Sequence, residues 1–481
     1  MQADPGNIAT NAAAATAKPC YKIEVLWDAS WVDETANTVL GGKCSNQLVD
    51  PFEGLGSMGA APIGRATLVV DNYNGRFSEA RAGSPAALYG IYGKPIRLSA
   101  GYVHGGTPEY VRIWTGRIMD VTESERSTKA RIECHDMGSV PMQQKHSTLM
   151  YEGQRTDAWI ELLADLAGVA DRSLDRGLTV LPYCYLDDDF ALDEIRRVAA
   201  AEGGVTFFDV LGRLRFWNAA HWCNASSVAT FTVGGFGELE PRRAYDGIYN
   251  VVAVEYQPRL AGLVAQVYGL ERTVAIPANG SKTLKLRFSQ PLLRYTGYEM
   301  SACSAGGVDM TAQVTTWPAG PQAAASWEII FSNADTRQAA FLTRFDVYGV
   351  PIEGRPAEEY QVDESMGAVP RRKPVRGNWY VQTEAQARLI GNIWSQRLKA
   401  VRLSMMLRGA PGNPLLELGD VVTVTATRTG INRQAIVTSL EHRPGKSYTM
   451  DIGLADFTDF YAYSNYFRVG TSALNSGRLF T

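Results

Sequence analysis

Asn413-Pro414-Leu415-Leu416-Glu417-Leu418-Gly419-Asp420, running into Val421-Val422-Thr423-Val424, is the stretch whose reading decides the fold. Pro414 has no amide to give to a strand ladder, so Gly412-Asn413-Pro414 marks a loop. Gly419-Asp420 is a tight-turn pair, and the β-branched run after it reads as a strand. Upstream, Leu403-Ser404-Met405-Met406-Leu407-Arg408 is another short β-like segment. Downstream, Ile436, Thr438, Leu440 and His442 alternate up to the turn Arg443-Pro444-Gly445-Lys446. The return segment carries Tyr448, Met450, Ile452 and Leu454 at period two. Four short strands joined by tight turns predict a small curled sheet or barrel, a scaffold with no chemistry of its own.

Working outward, the preceding segment reads as a helix. Thr383 and Gln386 form a capping box, and Ala387, Ile390, Trp394 and Leu398 line one face. A helix, a strand, the Gly-Asn-Pro-x-Leu-x-Leu-Gly-Asp-x-Val turn and a closing hairpin resemble the C-terminal barrel of phage tail hub proteins. These form the baseplate-hub and tail-tip family of tailed phages and related injection machines. A second resemblance lies near the start. The strand Arg65–Asn72 turns through Tyr73-Asn74-Gly75-Arg76-Phe77-Ser78, where Asn74-Gly75 supplies the positive φ of a tight turn. Ser84-Pro85 and Leu88-Tyr89 follow, then strands at Lys94–Leu98, Arg112–Ile118 and Lys129–Asp136. In that order they look like the first barrel of the same family.

Between these regions the periodicity changes. Thr156–Gly168 is an amphipathic helix with Trp159, Leu163 and Leu166 on one face, Asp157 in the first turn and Gly168 ending it. A second helix, from Phe190 to Ala201, ends at Gly203-Gly204. A hairpin follows, Val205–Asp209 and Arg213–Trp217. This block again resembles the family. Residues 246 to 367 are β-like with long loops, with strands at Asn250–Tyr256, Thr283–Phe288 and Phe345–Tyr348. They read as an inserted β domain, which the resemblance does not cover.

Composition bounds the function. At 481 residues the chain holds two to four domains. A net charge of −3 excludes a broadly basic nucleic-acid binder. No segment approaches eighteen uncharged apolar residues, so no membrane span is expected. Asn11–Ala17 is Ala-rich without the features of a cleaved signal. Six scattered cysteines (Cys20, Cys44, Cys134, Cys184, Cys223, Cys303) include no C-x-x-C pair and read as reduced thiols, with a Cys20–Cys44 disulfide not arguable from sequence.

No cofactor, metal or catalytic residue is assigned. Gly54-Leu55-Gly56-Ser57-Met58-Gly59 matches G-x-G-x-x-G, but Asp50-Pro51 precedes and Ala60-Ala61-Pro62 follows, so the strand and helix of a dinucleotide site are missing. Asp187-Asp188-Asp189 splays in three directions before a helix, and reads as a cap with dipole-favoured carboxylates rather than a metal cluster. Cys134-His135-Asp136 lies on a strand, where neighbours point to opposite faces. The five histidines (His104, His135, His146, His221, His442) show no metal spacing. Pro370-Arg371-Arg372-Lys373-Pro374-Val375-Arg376 reads as a solvated basic linker that could touch phosphate.

The fold expected is α+β, mostly β, and multi-domain: a flexible arm (1–20), a first β-barrel (21–143), a helix–helix–hairpin domain (144–244), an inserted β-rich domain (245–370), a helix plus second β-barrel (371–456) and a tail (457–481). The resemblance implies a structural, non-enzymatic virion protein at the phage tail tip, assembled in the host cytoplasm. It implies a homotrimer, so that two barrels per chain let a threefold hub dock on a sixfold tube. Its partners would be the tail-tube or distal tail protein, the tape-measure protein and a central fibre or tip protein, with DNA passing transiently and no stable membrane insertion. A carbohydrate-binding receptor protein, using exposed Trp and Tyr of the inserted domain, is the alternative. A tail-borne cell-wall hydrolase would need a carboxylate pair or zinc site, which the sequence does not show.

Overall fold

The computed structural model describes residues 1–13, 17–48, 61–139, 144–233, 237–244, 248–366, 369–398 and 402–456. The G-x-G-x-x-G stretch and the tail 457–481 lie outside them. The chain is mostly β, with half its residues in strands and 13% in helices. The helices are α1 (Ile8–Ala13), α2 (Pro85–Tyr89), α3 (Thr156–Leu166), α4 (Ala191–Ala200) and α5 (Glu384–Leu398).

Thirteen strands make one sheet. Seven come from the N-terminal region: β1 (Lys18–Leu26), β2 (Trp31–Asp33), β3 (Thr38–Gln47), β4 (Arg65–Asp71), β5 (Pro95–His104), β6 (Thr107–Thr122) and β7 (Lys129–Asp136). Six come from later in the chain: β8 (Ser227–Val233), β9 (Glu238–Ala244), β10 (Arg402–Pro411), β11 (Val421–Ala426), β12 (Ile431–Arg443) and β13 (Thr449–Asp456). The path runs β9-β10-β13-β12-β3-β4-β7-β6-β5-β1-β2, with β11 also on β12 and β8 parallel to β11.

Two closed barrels were expected here, and no described sheet is closed. The outer edge of β3 pairs with β12, from Cys44 opposite His442 to Gln47 opposite Ser439, instead of returning to β1. An unpaired strand edge is a row of open donors and acceptors. Here two of them satisfy each other. Each half still buries its own core. Ile23, Leu68, Ile96, Trp114 and Ile132 fill the first, and Leu407, Val422, Ile436, Met450 and Ile452 the second.

A third core unites the helices. Trp159, Leu163, Ile195, Ala199 and Phe216 pack with Val252, Val254, Tyr380, Ile390 and Trp394. The capping box of α5 is formed as read: the Gln386 amide donates to the Thr383 hydroxyl (3.2 Å) and the Thr383 amide to Gln386 Oε1 (3.1 Å). The apolar face of α5, however, packs against the strand Val251–Tyr256 and joins the α3/α4 core, not the C-terminal half-sheet with which it was grouped. The basic stretch, expected as a solvated linker, is a strand, Arg372–Val375, parallel to Val251–Val254. Arg371 and Lys373 lie over the Tyr249 ring, and Arg372 pairs with Glu359. A fourth core, around Trp327, Phe331, Leu342, Phe345 and Val347, fills the inserted β unit.

The first residues are docked, not loose. Ile8 is fully buried, the Gln2 amide donates to the Leu415 carbonyl (2.9 Å), and the Gln2 side chain donates to the carbonyls of Arg112 and Pro414.

Candidate functional site

Three sets of residues are placed where the molecule can make or hold contacts. The first is the joint between the two half-sheets, built by Asn413–Asp420. Leu415 is buried in the N-terminal core, while Leu416 and Leu418 are buried in the C-terminal one, so consecutive side chains staple the two halves. Tyr448, on the C-terminal side, also packs into the N-terminal core. The Tyr102 hydroxyl donates to the Gly412 carbonyl, and Tyr448 is hydrogen bonded to His442 Nδ1 at 2.7 Å. A Cβ at Gly412 would stand 2.2 Å from the Tyr448 ring, so only glycine lets that ring close over the loop. Burial without a charge partner pushes the His442 imidazole down to about 4, so it stays neutral.

Gly419 closes the loop at φ +79°, where glycine carries no Cβ penalty. Its amide donates to the Val437 carbonyl and its carbonyl accepts from Trp222 Nε1, both near 2.9 Å. Asp420 Oδ2 accepts from the Glu417 amide (2.8 Å), and Asp420 also pairs with the Met1 ammonium. The hairpin Val205–Phe208/Leu214–Trp217 leans on this loop and leaves a cavity of about 240 Å³ lined by Trp217, His221, Asp209, Glu417 and His442. Its charges are spoken for: Asp209 holds Arg213 and Arg215, and His221 Nδ1 lies 2.7 Å from Asp175.

The second set is the segment from Asn72 to Gly93. Asn72 Oδ1 accepts from the Phe77 amide (2.9 Å), and Phe77 is buried against Trp27. Arg76 reaches Glu34 with Nε and Nη2, and Glu34 also accepts from Trp27 Nε1 and Asn37 Nδ2. Ser84 caps α2, accepting from the Ala87 amide and donating to the Ser78 carbonyl. Gly-Arg-Phe-Ser is thus a fastening. It holds out Tyr73, Leu88 and Tyr92, which are 75%, 64% and 57% exposed, with Tyr89 beside them. Exposed aromatic and aliphatic side chains on a rigid segment are what a protein interface uses.

The third set comprises the residues weighed for chemistry. Asp187, Asp188 and Asp189 pair with three different cations, Arg287, Lys145 and Arg197. They do not cap α4: Phe190 holds that position without a side-chain bond, and Asp193 and Glu194 occupy the first turn. Cys134 is buried, His135 faces the other way, and Asp136 is buried with its carboxylate taking the amides of Gly64 and Gly138. Burial raises Asp136 to about 6. Among the described residues no three or more His, Cys, Asp or Glu side chains are grouped to hold a metal, and no described helix is long and apolar enough to cross a membrane. In the inserted unit Trp327 is core, with Tyr295 and Tyr298 packed against it, whereas Trp317 is exposed. Sequence reasoning missed the stapling role of Leu415 and the fastening of Arg76. A leucine in a turn and an arginine after a glycine carry no periodic signal.

No protein-family model matches the chain, and no curated protein matches it in sequence. Its fold matches solved structures. The 43 kDa tail protein of prophage MuSo2 from Shewanella oneidensis superposes with a TM-score of 0.50 at 10% identity, over 92% of this chain and 99% of that one. The tail protein from Neisseria meningitidis MC58 gives 0.51, also at 10% identity, over 93% and 99%. The fold of this chain is therefore that of phage-type tail proteins, along nearly its whole described length.

Proposed function

We propose that a chain with this tail-protein fold is a structural virion component, the hub at the distal end of a phage tail tube. Three copies would adapt a sixfold tube to a threefold tip and line or close its channel. The joint is the observation that carries this reading. Two curled antiparallel half-sheets are fused edge to edge at β3 and β12 and pinned by the 412–420 loop, so their relative orientation is fixed within one chain. A trimer of such chains offers six half-sheets to a sixfold partner. Closed barrels are not required, because edge-to-edge pairing is already how the halves meet.

The ordered aromatic segment, with Tyr73, Leu88, Tyr89 and Tyr92, is the surface we assign to the neighbouring subunit or to the tube. Partners on this reading are the tail-tube or distal tail protein, the tape-measure protein and a central fibre or tip protein, with transient passage of DNA. The protein acts at the virion tail tip and by shape. The test is the oligomeric mass of the purified chain and an image of its complex with tail-tube protein. A threefold ring is expected. A chain that stays monomeric alone and with tube protein overturns the proposal.

A further inference from the structure

The inserted β unit shares no core residue with the helical unit on which it stands. Two crossings connect them, Tyr256 to Arg259 outward and Gly354 to Glu358 on return. The ladder beneath ends at Tyr256 opposite Glu358, and the ladder above restarts at Arg259 opposite Gly354. Pro258 and Pro356 sit in the gap, and neither has an amide to donate across it. A single backbone bond spans it, from the Arg355 amide to the Pro258 carbonyl (2.9 Å). A two-strand stalk interrupted in both strands at one level concentrates bending there.

Among the described residues, one contact beside the stalk and two away from it hold the unit against the helical one. The Arg259 guanidinium lies 3.1 Å from the centroid of the Trp379 ring, which Tyr185 meets edge-on at 5.1 Å. Arg287 pairs with Asp187 at 2.7 Å, with the arginine 78% exposed. The Ala324 amide donates to the Thr148 carbonyl at 2.7 Å. An exposed ion pair is weak and screened by salt. The cation–ring contact is partly dehydrated: Arg259 Nε is buried with no acceptor among the described residues, and burial pushes the guanidinium down to about 10. Opening would return water to that guanidinium. The closed position therefore rests on polar contacts whose gain is offset by desolvation, with no core cluster common to the two units among the described residues.

We propose that residues 259–354 form a hinged flap that pivots at the proline-interrupted stalk and is held shut by a clasp, Arg259 on Trp379 and Arg287 on Asp187. The aspartate triplet before α4 thus supplies one half of a latch. This goes beyond the hub reading and does not depend on oligomeric state.

The test uses the full chain. Hydrogen exchange and small-angle scattering are recorded for the parent in about 0.05 M and about 0.5 M NaCl, and for the double variant Arg259→Ala/Asp187→Asn. In the variant, the amides of Ala324 and Arg355 are expected to exchange about tenfold faster or more, with a larger radius of gyration. High salt should move the parent the same way. Arg259→Lys keeps the charge without the planar stack and should shift from the parent toward the double variant. A variant with native circular dichroism whose exchange and scattering match the parent overturns the clasp. Should the variant not fold, a parent indifferent to salt at Ala324 and Arg355 does the same.

Discussion

Gly419→Ala tests the joint directly. At φ +79° an L-residue costs roughly 1–2 kcal/mol. The new Cβ would stand 2.3 Å from Trp217 Cζ3 and 2.4 Å from Cη2, where carbon atoms prefer about 3.5–4.0 Å. Trp217 must therefore move by more than an ångström, and it is not free to. Its ring is stacked on His221 at 4.3 Å and meets Phe207 and Trp222 edge-on at 4.5 and 5.4 Å. Overpacking of this kind costs about 1–3 kcal/mol, giving a total of roughly 2–5 kcal/mol. The chain has several cores, so one global unfolding midpoint is a poor readout. Hydrogen exchange at Gly419 and Val437, whose amides donate to the carbonyls of Val437 and Asp420, reports the loop itself. Protection there should fall at least about 30-fold, the lower cost converted at 1.4 kcal/mol per decade. Adding Trp217→Leu should recover part of the loss, because it removes the ring that the Cβ strikes. Protection within about threefold of the parent in the single variant would refute the close-approach argument.

Four other outcomes are expected. Leu415→Ala should cost about 2–5 kcal/mol and, unlike a substitution confined to either core, speed exchange along the β3–β12 pairing at Cys44 and His442. Arg76→Ala leaves the buried Glu34 carboxylate without its cation, a loss of about 3 kcal/mol or more, seen as new protease cleavage between residues 72 and 93. Leu88→Ser/Tyr89→Ser should leave stability within about 0.5 kcal/mol yet weaken self-association or tube binding measured by sedimentation. Glu202 is fully buried, takes the amides of Leu178 and Thr179, and is raised by burial to about 7. Because its folded pKa lies above the unfolded value, the stability linked to its protonated form is complete below pH ~4.3 and is lost as pH rises through about 7. Glu202→Gln should match the parent near pH 4 and exceed it by up to roughly 3 kcal/mol at pH 8. Taken as variant minus parent from hydrogen exchange at the Leu178 and Thr179 amides, this difference cancels Asp136 and the opposing effect of His442, and a pH-independent difference would contradict it.

Local order was readable where a periodic face or a paired cap carries it. The face of α5 and its Thr383–Gln386 box, the helix α3 and the alternation of β13 all follow from neighbours a few residues apart. The cysteine, histidine and aspartate of β7 likewise fell on the faces that strand alternation assigns them. What could not be read were partners far apart in the chain. Among the described residues near the start, Ile8 is fully buried while Ala12 and Ala17 are partly buried against the same core, and so few apolar anchors make no period. The Arg372–Val375 strand finds its ladder more than a hundred residues upstream, so its charges looked like those of a linker.

The sequence by itself determined that this chain is mostly β, that the helices α3 and α4 lie between the two sheet-forming regions and α5 before the last four strands, and that tight turns at Asn74-Gly75 and Gly419-Asp420 bend it back on itself. These follow from side-chain spacing and from residues that alone tolerate positive φ. Only the tertiary structure decided that two curled sheets join into one instead of closing separately, and that Leu415 and Leu416, adjacent in the chain, enter different cores. Both depend on which open strand edge and which apolar surface lie within reach after folding, and no local pattern encodes that.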